Sequence, residues 1–233
     1  MQKIYVTSSG TGIGKTLVTC ALAKVLKRQK KKTYAMKPII SGFSLNVVPN
    51  DVFNICEALD LNYITEKNSV NFVAFKCAMS PDMAARVGKE KEVNFKQLLE
   101  FCDKAPKRTE YNIIETVGGL MVPVNSKKLT IDWVKNSADK VVLVVGSYLG
   151  SLSHSLASYK LLQDAGKKPC MVVVTQSLSR SDALYIPLKE TIKSLENFIS
   201  SPILAVEKLS GDDKQKIDKL SRRFDAKILK NIG

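Results

Sequence analysis

The chain has 233 residues, 45% apolar and 25% charged, with five cysteines and a formal net charge of +14. A chain of this length buries roughly three quarters of its unfolded surface, which excludes disorder and small scaffolds stapled by disulfides or zinc. The odd set Cys20, Cys56, Cys77, Cys102 and Cys170 holds no C-x-x-C pair, and Met1 leads straight into an apolar run with no signal-peptide pattern, so a cytoplasmic protein with reduced thiols is expected.

The longest aliphatic run, Val141–Val145, is too short to cross a bilayer, so no membrane partner is expected. The positive charge comes from thirty scattered Lys against six Arg, which fits a solvated lysine-rich surface better than a nucleic-acid reader built on Arg forks.

Short apolar, β-branched runs alternate with helical patterns along the chain. The composition predicts strands over Lys3–Ser8, Thr33–Lys37, Asn112–Glu115, Lys140–Val145, Cys170–Thr175 and Pro202–Val206. Between them, a 3.6-residue period predicts helices over Lys15–Lys30, Asp51–Leu59, Phe95–Cys102, Ser151–Ala165 and Ala183–Phe198. Strands apolar on both faces and separated by helices imply a single three-layer αβα domain over residues 1–233, with a mainly parallel sheet and a ligand site at the strands' carboxyl ends. Asn62–Ala78 and Pro202–Gly211 are the least regular stretches and are candidate loops over that site.

The first strand runs into Ser8-Ser9-Gly10-Thr11-Gly12-Ile13-Gly14-Lys15-Thr16, followed at once by an apolar helix beginning at Leu17. Glycines let successive N–H groups turn onto a phosphate, and the helix N-terminus adds positive potential. Lys15 is suited to the β- and γ-oxygens and the Thr16 hydroxyl to Mg²⁺, a P-loop arrangement whose usual first glycine is Ser9 here. A dinucleotide fold fits less well, because the second strand ends in Lys37 rather than a ribose-binding acid.

Glu115 closes the third strand beside this loop, as a Mg²⁺ ligand would. Lys37 closes the second strand, either as a second cation on a transferred phosphoryl group or as one more surface lysine. Asn50-Asp51 reads equally as a helix cap. His154, the single histidine, leaves little for a His-based metal site or triad.

Taken together, Thr11–Thr16, Lys37-Pro38 with Ser41-Gly42, Asp51, Ser80-Pro81, Glu115 with Gly118-Gly119 and Pro123, and Leu149-Gly150 resemble the dethiobiotin synthetases in order and spacing. The resemblance implies a cytoplasmic homodimer that converts 7,8-diaminopelargonate, CO₂ and MgATP to dethiobiotin, ADP and phosphate through a carbamate and a carbamic–phosphoric mixed anhydride. It implies Lys37, Lys15 and Thr11 as catalytic residues, and Thr16, Asp51 and Glu115 as holders of Mg²⁺. For the ATP co-substrate it implies Gly12, Ile13, Gly14, Lys15, Thr16, Leu17, Asp51, Glu115, Thr116, Val117, Gly118, Thr175 and Gln176. Ser41 would lie by the diamine, and Leu149, Gly150, Ser151 and Leu152 would receive the substrate carboxylate, across the dimer interface.

The chain departs from that family's pattern at Ser8, Ser9, Gly12 and Thr116-Val117, and in its base-binding segments at Thr175-Gln176 and Glu207-Lys208-Leu209. Nucleotide preference is therefore open, with a relaxed choice among ATP, CTP and GTP as one hypothesis. The same fold carries the MinD and ParA ATPase switches of membranes and DNA. For that alternative speak the net charge and the basic amphipathic stretch Lys214–Gly233, with Ile217, Leu220, Phe224, Ile228 and Ile232 on one face. Against it stands Gly10, where such switches carry a signature lysine. A last helix packed on the domain explains the same pattern.

Overall fold

The computed structural model describes residues 1–42, 48–224 and 230–232. The chain runs β1 (Gln2–Ser8), α1 (Lys15–Arg28), β2 (Thr33–Met36), β3 (Ile39–Ser41), α2 (Asp51–Leu59), α3 (Tyr63–Val70), β4 (Val73–Phe75), α4 (Pro81–Gly88), α5 (Phe95–Cys102), β5 (Tyr111–Glu115), β6 (Pro123–Asn125), β7 (Lys128–Leu129), α6 (Thr130–Ser137), β8 (Lys140–Gly146), α7 (Ser151–Asp164), β9 (Met171–Thr175), α8 (Leu188–Glu196), β10 (Ile203–Val206) and α9 (Asp213–Arg223).

Six strands form one sheet in the order β10-β9-β8-β1-β5-β2, parallel at every pairing and flanked by helices. Strands β8, past Lys140, and β9 are buried, as their near-continuous apolar composition requires. Tyr5 of β1 and Trp133 of α6, both fully buried, meet edge to face with ring centroids 5.8 Å apart. The chain leaves β1 for β2 at the sheet edge and later inserts β5 between them. The carboxyl ends of β1, β5 and β2 therefore open side by side, with Val6 paired to Glu115 and Met36 to Ile114.

The predicted strands all form, and α2 and α5 match their predicted bounds. The predicted Ala183–Phe198 helix starts only at Leu188, because Pro187 restricts the residue before it and takes the cap position. The irregular stretch Asn62–Ala78 contains α3 and β4 rather than an open loop. Helix α3 buries only Val70 and so lacks the apolar stripe by which a helix is read, while β4 pairs with β3 through three residues.

In the C-terminal stretch, Ile217, Leu220, Phe224 and Ile232 are buried, and α9 packs on α1. Lys24 pairs with Asp218 at 2.5 Å, and Arg28 donates to the Ser221 carbonyl. Lys227 and Ile228 lie outside the described residues. Among the described residues, no helix is long and apolar enough to cross a membrane.

A docked last helix makes Phe224 part of the core. Phe224→Ala is expected to lower the unfolding free energy by about 3 kcal/mol in urea titration; a loss under about 1 kcal/mol would mean that the helix is not part of the cooperative unit.

Candidate active site

The loop after β1 turns into α1 through Gly12 (φ 73°) and Gly14 (φ 93°), both in the left-handed region that favours glycine. Gly14 caps α1 with no side-chain partner, so the helix's first N–H groups are available to an anion. The loop is braced from behind by Thr175, whose Oγ1 donates to the Ile13 carbonyl at 2.8 Å.

Lys15 is buried and folds back on its own loop, its Nζ 2.9 Å from Ser8 Oγ and 3.0 Å from the Gly10 carbonyl. Ser8 Oγ also lies 2.6 Å from the Gly10 carbonyl and 2.9 Å from the Gly118 carbonyl, joining the loop after β1 to the turn after β5. Burial lowers the Lys15 pKa to about 8, opposed by the Glu115 charge and reinforced by Lys37.

Lys37 follows β2 into the same crevice. Its Nζ donates to Glu115 Oε1 at 2.8 Å and also to Asp51, forming ion pairs with both. Burial alone would depress its pKa; the adjacent charges and hydrogen bonds of Glu115 and Asp51 outweigh that and hold it above the usual lysine value. Burial would likewise raise the Asp51 pKa, but Lys37, then Thr16 and Lys15, hold it below the ordinary range. Lys37 is thus an ion-paired internal cation rather than a surface lysine.

The two readings of Asn50-Asp51 separate cleanly: Asn50 Oδ1 accepts the Phe53 N–H at 2.9 Å and caps α2, leaving the Asp51 carboxylate to Lys37. Ser80 and Pro81 start α4, with proline in the first turn.

Thr11, Gly12, Gly14, Lys15, Thr16, Leu17, Lys37, Ser41, Asp51, Glu115, Val117 and Gly118 line one cavity of about 440 Å³, so most of the sequence-predicted set converges. Ile13, Thr175 and Gln176 line an adjoining cavity of about 200 Å³, together with Glu207, Lys208 and Leu209. Thr116 does not join them; its hydroxyl lies 3.0 Å from Thr7 Oγ1, within the sheet. The start of α7 also lies apart from these linings within one chain. There Gly150 (φ 93°) is the cap and Ser151 is buried, with Ser151 Oγ accepting the Tyr148 N–H at 3.2 Å, while Leu149 and Leu152 face outward.

Ile40, Asn54, Asp213, Lys216 and Ile217 complete the larger cavity and were not legible as site residues. The alternation of charge and apolar residues in α9 reports an amphipathic helix, not the element against which it docks.

Mg²⁺ is bound by one or two carboxylates, a hydroxyl and substrate phosphates rather than by an all-protein cage. Thr16 Oγ1 donates to Glu115 Oε1 at 2.8 Å, and Glu115 Oε2 is buried with no hydrogen-bond partner among the described residues. With Asp51 alongside, that donor set fits the ion.

The phosphate loop, the adjacent acid and the parallel sheet define a P-loop NTPase. A family model described as "AAA domain" matches residues 2–209. Solved structures of similar fold include MinD with Mg-ADP from Pyrococcus horikoshii OT3 (TM-score 0.54, 14% identity, 99% of this chain and 98% of that one). A ParA family ATPase from Chlorobium tepidum TLS gives a TM-score of 0.52 at 14% identity over 99% and 96% of the two chains. At such identity these show the fold alone.

The chain is 30% identical over 203 residues to the ATP-dependent dethiobiotin synthetase BioD of Caulobacter sp. (strain K31), covering 85% of this chain and 84% of that protein. It is 32% identical over 186 residues to the enzyme of that name from Methylobacterium nodulans (strain LMG 21967 / CNCM I-2342 / ORS 2060), covering 76% and 82%. The chain belongs to the dethiobiotin synthetase family.

A charged Lys15 in a buried site penalises the free fold. Its pKa is about 8 when folded against 10.5 in the open chain, so the unfolded state binds more protons between these values and stability gains as pH rises through them. Lys15→Met is therefore expected to be more stable than the wild type at pH 7, with the gap closing toward pH 10; chemical denaturation at both pH values reads it, and a less stable variant at pH 7 would contradict the assignment.

Proposed function

We propose that the chain is an ATP-dependent dethiobiotin synthetase, a ligase that closes the cyclic urea of dethiobiotin from 7,8-diaminopelargonate, CO₂ and MgATP. The observation that supports this reading is the convergence of Lys15, Lys37 and Ser41 on one cavity beside the phosphate loop.

One substrate amine adds to CO₂, forming an N–C bond and releasing a proton to give a carbamate. A carbamate oxygen then attacks the γ-phosphorus, the P–O bond to ADP breaks, and a mixed anhydride results. The second amine attacks the carbamoyl carbon, loses its proton, and expels phosphate as the ring closes.

In this reading the N–H groups from Gly12 to Leu17 cradle the triphosphate and Thr11 sits at its rim. Lys15 moves from the Gly10 carbonyl to the β- and γ-oxygens, and Lys37 steadies the transferred phosphoryl group. These are electrostatic and positional roles, as phosphoryl transfer requires. Thr16, Asp51 and Glu115 would hold Mg²⁺, which when bound neutralises β- and γ-phosphate charge. Ser41 faces the diamine.

The exposed Leu149 and Leu152 at the start of α7, with Leu184 nearby, support a homodimer in which that start serves the partner's site as a receptor for the substrate carboxylate.

The base would lie in the smaller cavity. Gln176 Nε2 donates to the Ser147 carbonyl at 3.1 Å, which fixes the amide and leaves the buried Oε1 as an acceptor with no partner among the described residues. An acceptor there favours bases with an amine at adenine C6 or cytosine C4, as in ATP and CTP, over GTP, which presents a carbonyl oxygen at C6.

The test is mass spectrometry of product after incubation with diaminopelargonate, bicarbonate, Mg²⁺ and ATP. Wild type should form dethiobiotin, and Lys37→Met should lose about a hundredfold or more in rate while still binding ATP; an unimpaired variant, or no product from the wild type, would contradict the reading. Substituting GTP should lower kcat/KM at least about tenfold relative to ATP and CTP, whereas equal constants would remove Gln176 from base selection.

A further inference from the structure

The two cavities at the carboxyl edge share four lining residues: Gly12, Gly14, Leu17 and Lys216. Three belong to the phosphate loop and the first turn of α1. The fourth enters from α9, some two hundred residues later, and is the only cation of the four.

Resting on the nucleotide reading above, the geometry has a simple consequence. A nucleotide with its phosphates in the larger cavity and its base in the smaller one must pass its ribose and α-phosphate through the junction. Lys216 borders that junction together with Gly12 and Gly14 of the loop.

Its setting suits a contact residue. Asp212 caps α9 by accepting the Gln215 N–H at 2.8 Å, and buried Ile217 anchors the next position. Asp213 accepts from Asn54 Nδ2 at 3.1 Å, tying the first turn of α9 to α2, the helix that carries Asp51. The helix is thus held at both its first turn and its buried face, so the Lys216 backbone is fixed while its stem is free to extend.

The only ion pair formed by Lys216 among the described residues is with Asp213 at 3.7 Å, a long and partly exposed i,i+3 pair. Such a pair is worth little and yields readily to a phosphate. A hydrated point charge on a flexible stem recognises phosphate oxygens rather than a neutral base.

We propose that Lys216 contacts the α-phosphate and ribose of the bound nucleoside triphosphate, which makes α9 the far wall of the nucleotide site and Lys216 a binding residue that does not discriminate among bases.

The experiment is equilibrium binding of ATP, CTP and GTP by calorimetry to the wild type, Lys216→Gln, Lys216→Arg and, on the same helix, Lys214→Gln, each checked for unchanged thermal unfolding. Lys216→Gln is expected to weaken all three nucleotides by a similar factor of about five to ten, Lys216→Arg to restore most of the loss, and Lys214→Gln to change nothing. In turnover, Lys216→Gln should raise KM for the nucleotide while kcat stays within about twofold.

Unchanged affinity in Lys216→Gln overturns the proposal, as does a loss confined to one base or an equal loss in Lys214→Gln. A wild type that binds no nucleoside triphosphate overturns the nucleotide reading itself. A wild type that binds nucleotide but makes no dethiobiotin overturns only the reaction, and the Lys216 variants then still decide the contact.

Discussion

One ammonium between two carboxylates organises the functional end of this molecule. Glu115 is fully buried at the end of β5, where a carboxylate is costly unless a cation and hydrogen bonds compensate it. Lys37 supplies the cation from β2, Thr16 adds a hydroxyl from α1, and Asp51 completes the cluster from α2. Four elements that are distant in sequence are thereby held in one arrangement around the phosphate loop. The sheet order makes this possible, because β5 inserts between β1 and β2 and aligns all three carboxyl ends.

The loop itself is built to receive charge. Its glycines expose N–H groups, α1 begins without a side-chain cap, and Lys15 is stored against Ser8 Oγ and the Gly10 carbonyl. Burying that ammonium lowers its pKa to about 8, so the free fold carries an electrostatic penalty that an arriving phosphate relieves. Stability of the empty protein and affinity for a polyanion oppose one another at this residue, as is common where a site is preorganised for a ligand. Ser8 and the Gly10 carbonyl together hold Lys15 in its stored position.

Much of this was legible in the sequence because it depends on local pattern. Apolar β-branched runs bounded by helical periods report a parallel sheet, and Gly14-Lys15-Thr16 after a strand reports a phosphate loop. Roles set by tertiary contact were not legible. Nothing in the period of the C-terminal stretch says that α9 packs on α1 and that Ile217 and Phe224 are buried rather than lying on a lipid surface, or that Lys216 borders the phosphate loop. Asp51 was ambiguous for the same reason, since a cap and an ion-pair partner look alike until Asn50 is seen to take the cap. Thr116 carries the opposite lesson: expected at the site from the resemblance alone, it places its hydroxyl 3.0 Å from Thr7 Oγ1. Helix α3 buries a single side chain, so no apolar stripe marks it in the sequence.

The central claim is that Lys37 and Glu115 act as one unit, each making the other tolerable inside the protein. A double-mutant cycle on unfolding free energy, with Lys37→Met, Glu115→Gln and the pair together, measures this directly. Lys37→Met should cost about 3 kcal/mol or more by leaving buried Glu115 without its cation, while Glu115→Gln, in which Lys37 keeps Asp51, should cost less. The double variant should cost far less than the sum, with a coupling of at least about 2 kcal/mol. Additivity within about 0.5 kcal/mol would contradict the account, for it would mean that the two charges stand independently and that the site is not built around their pairing.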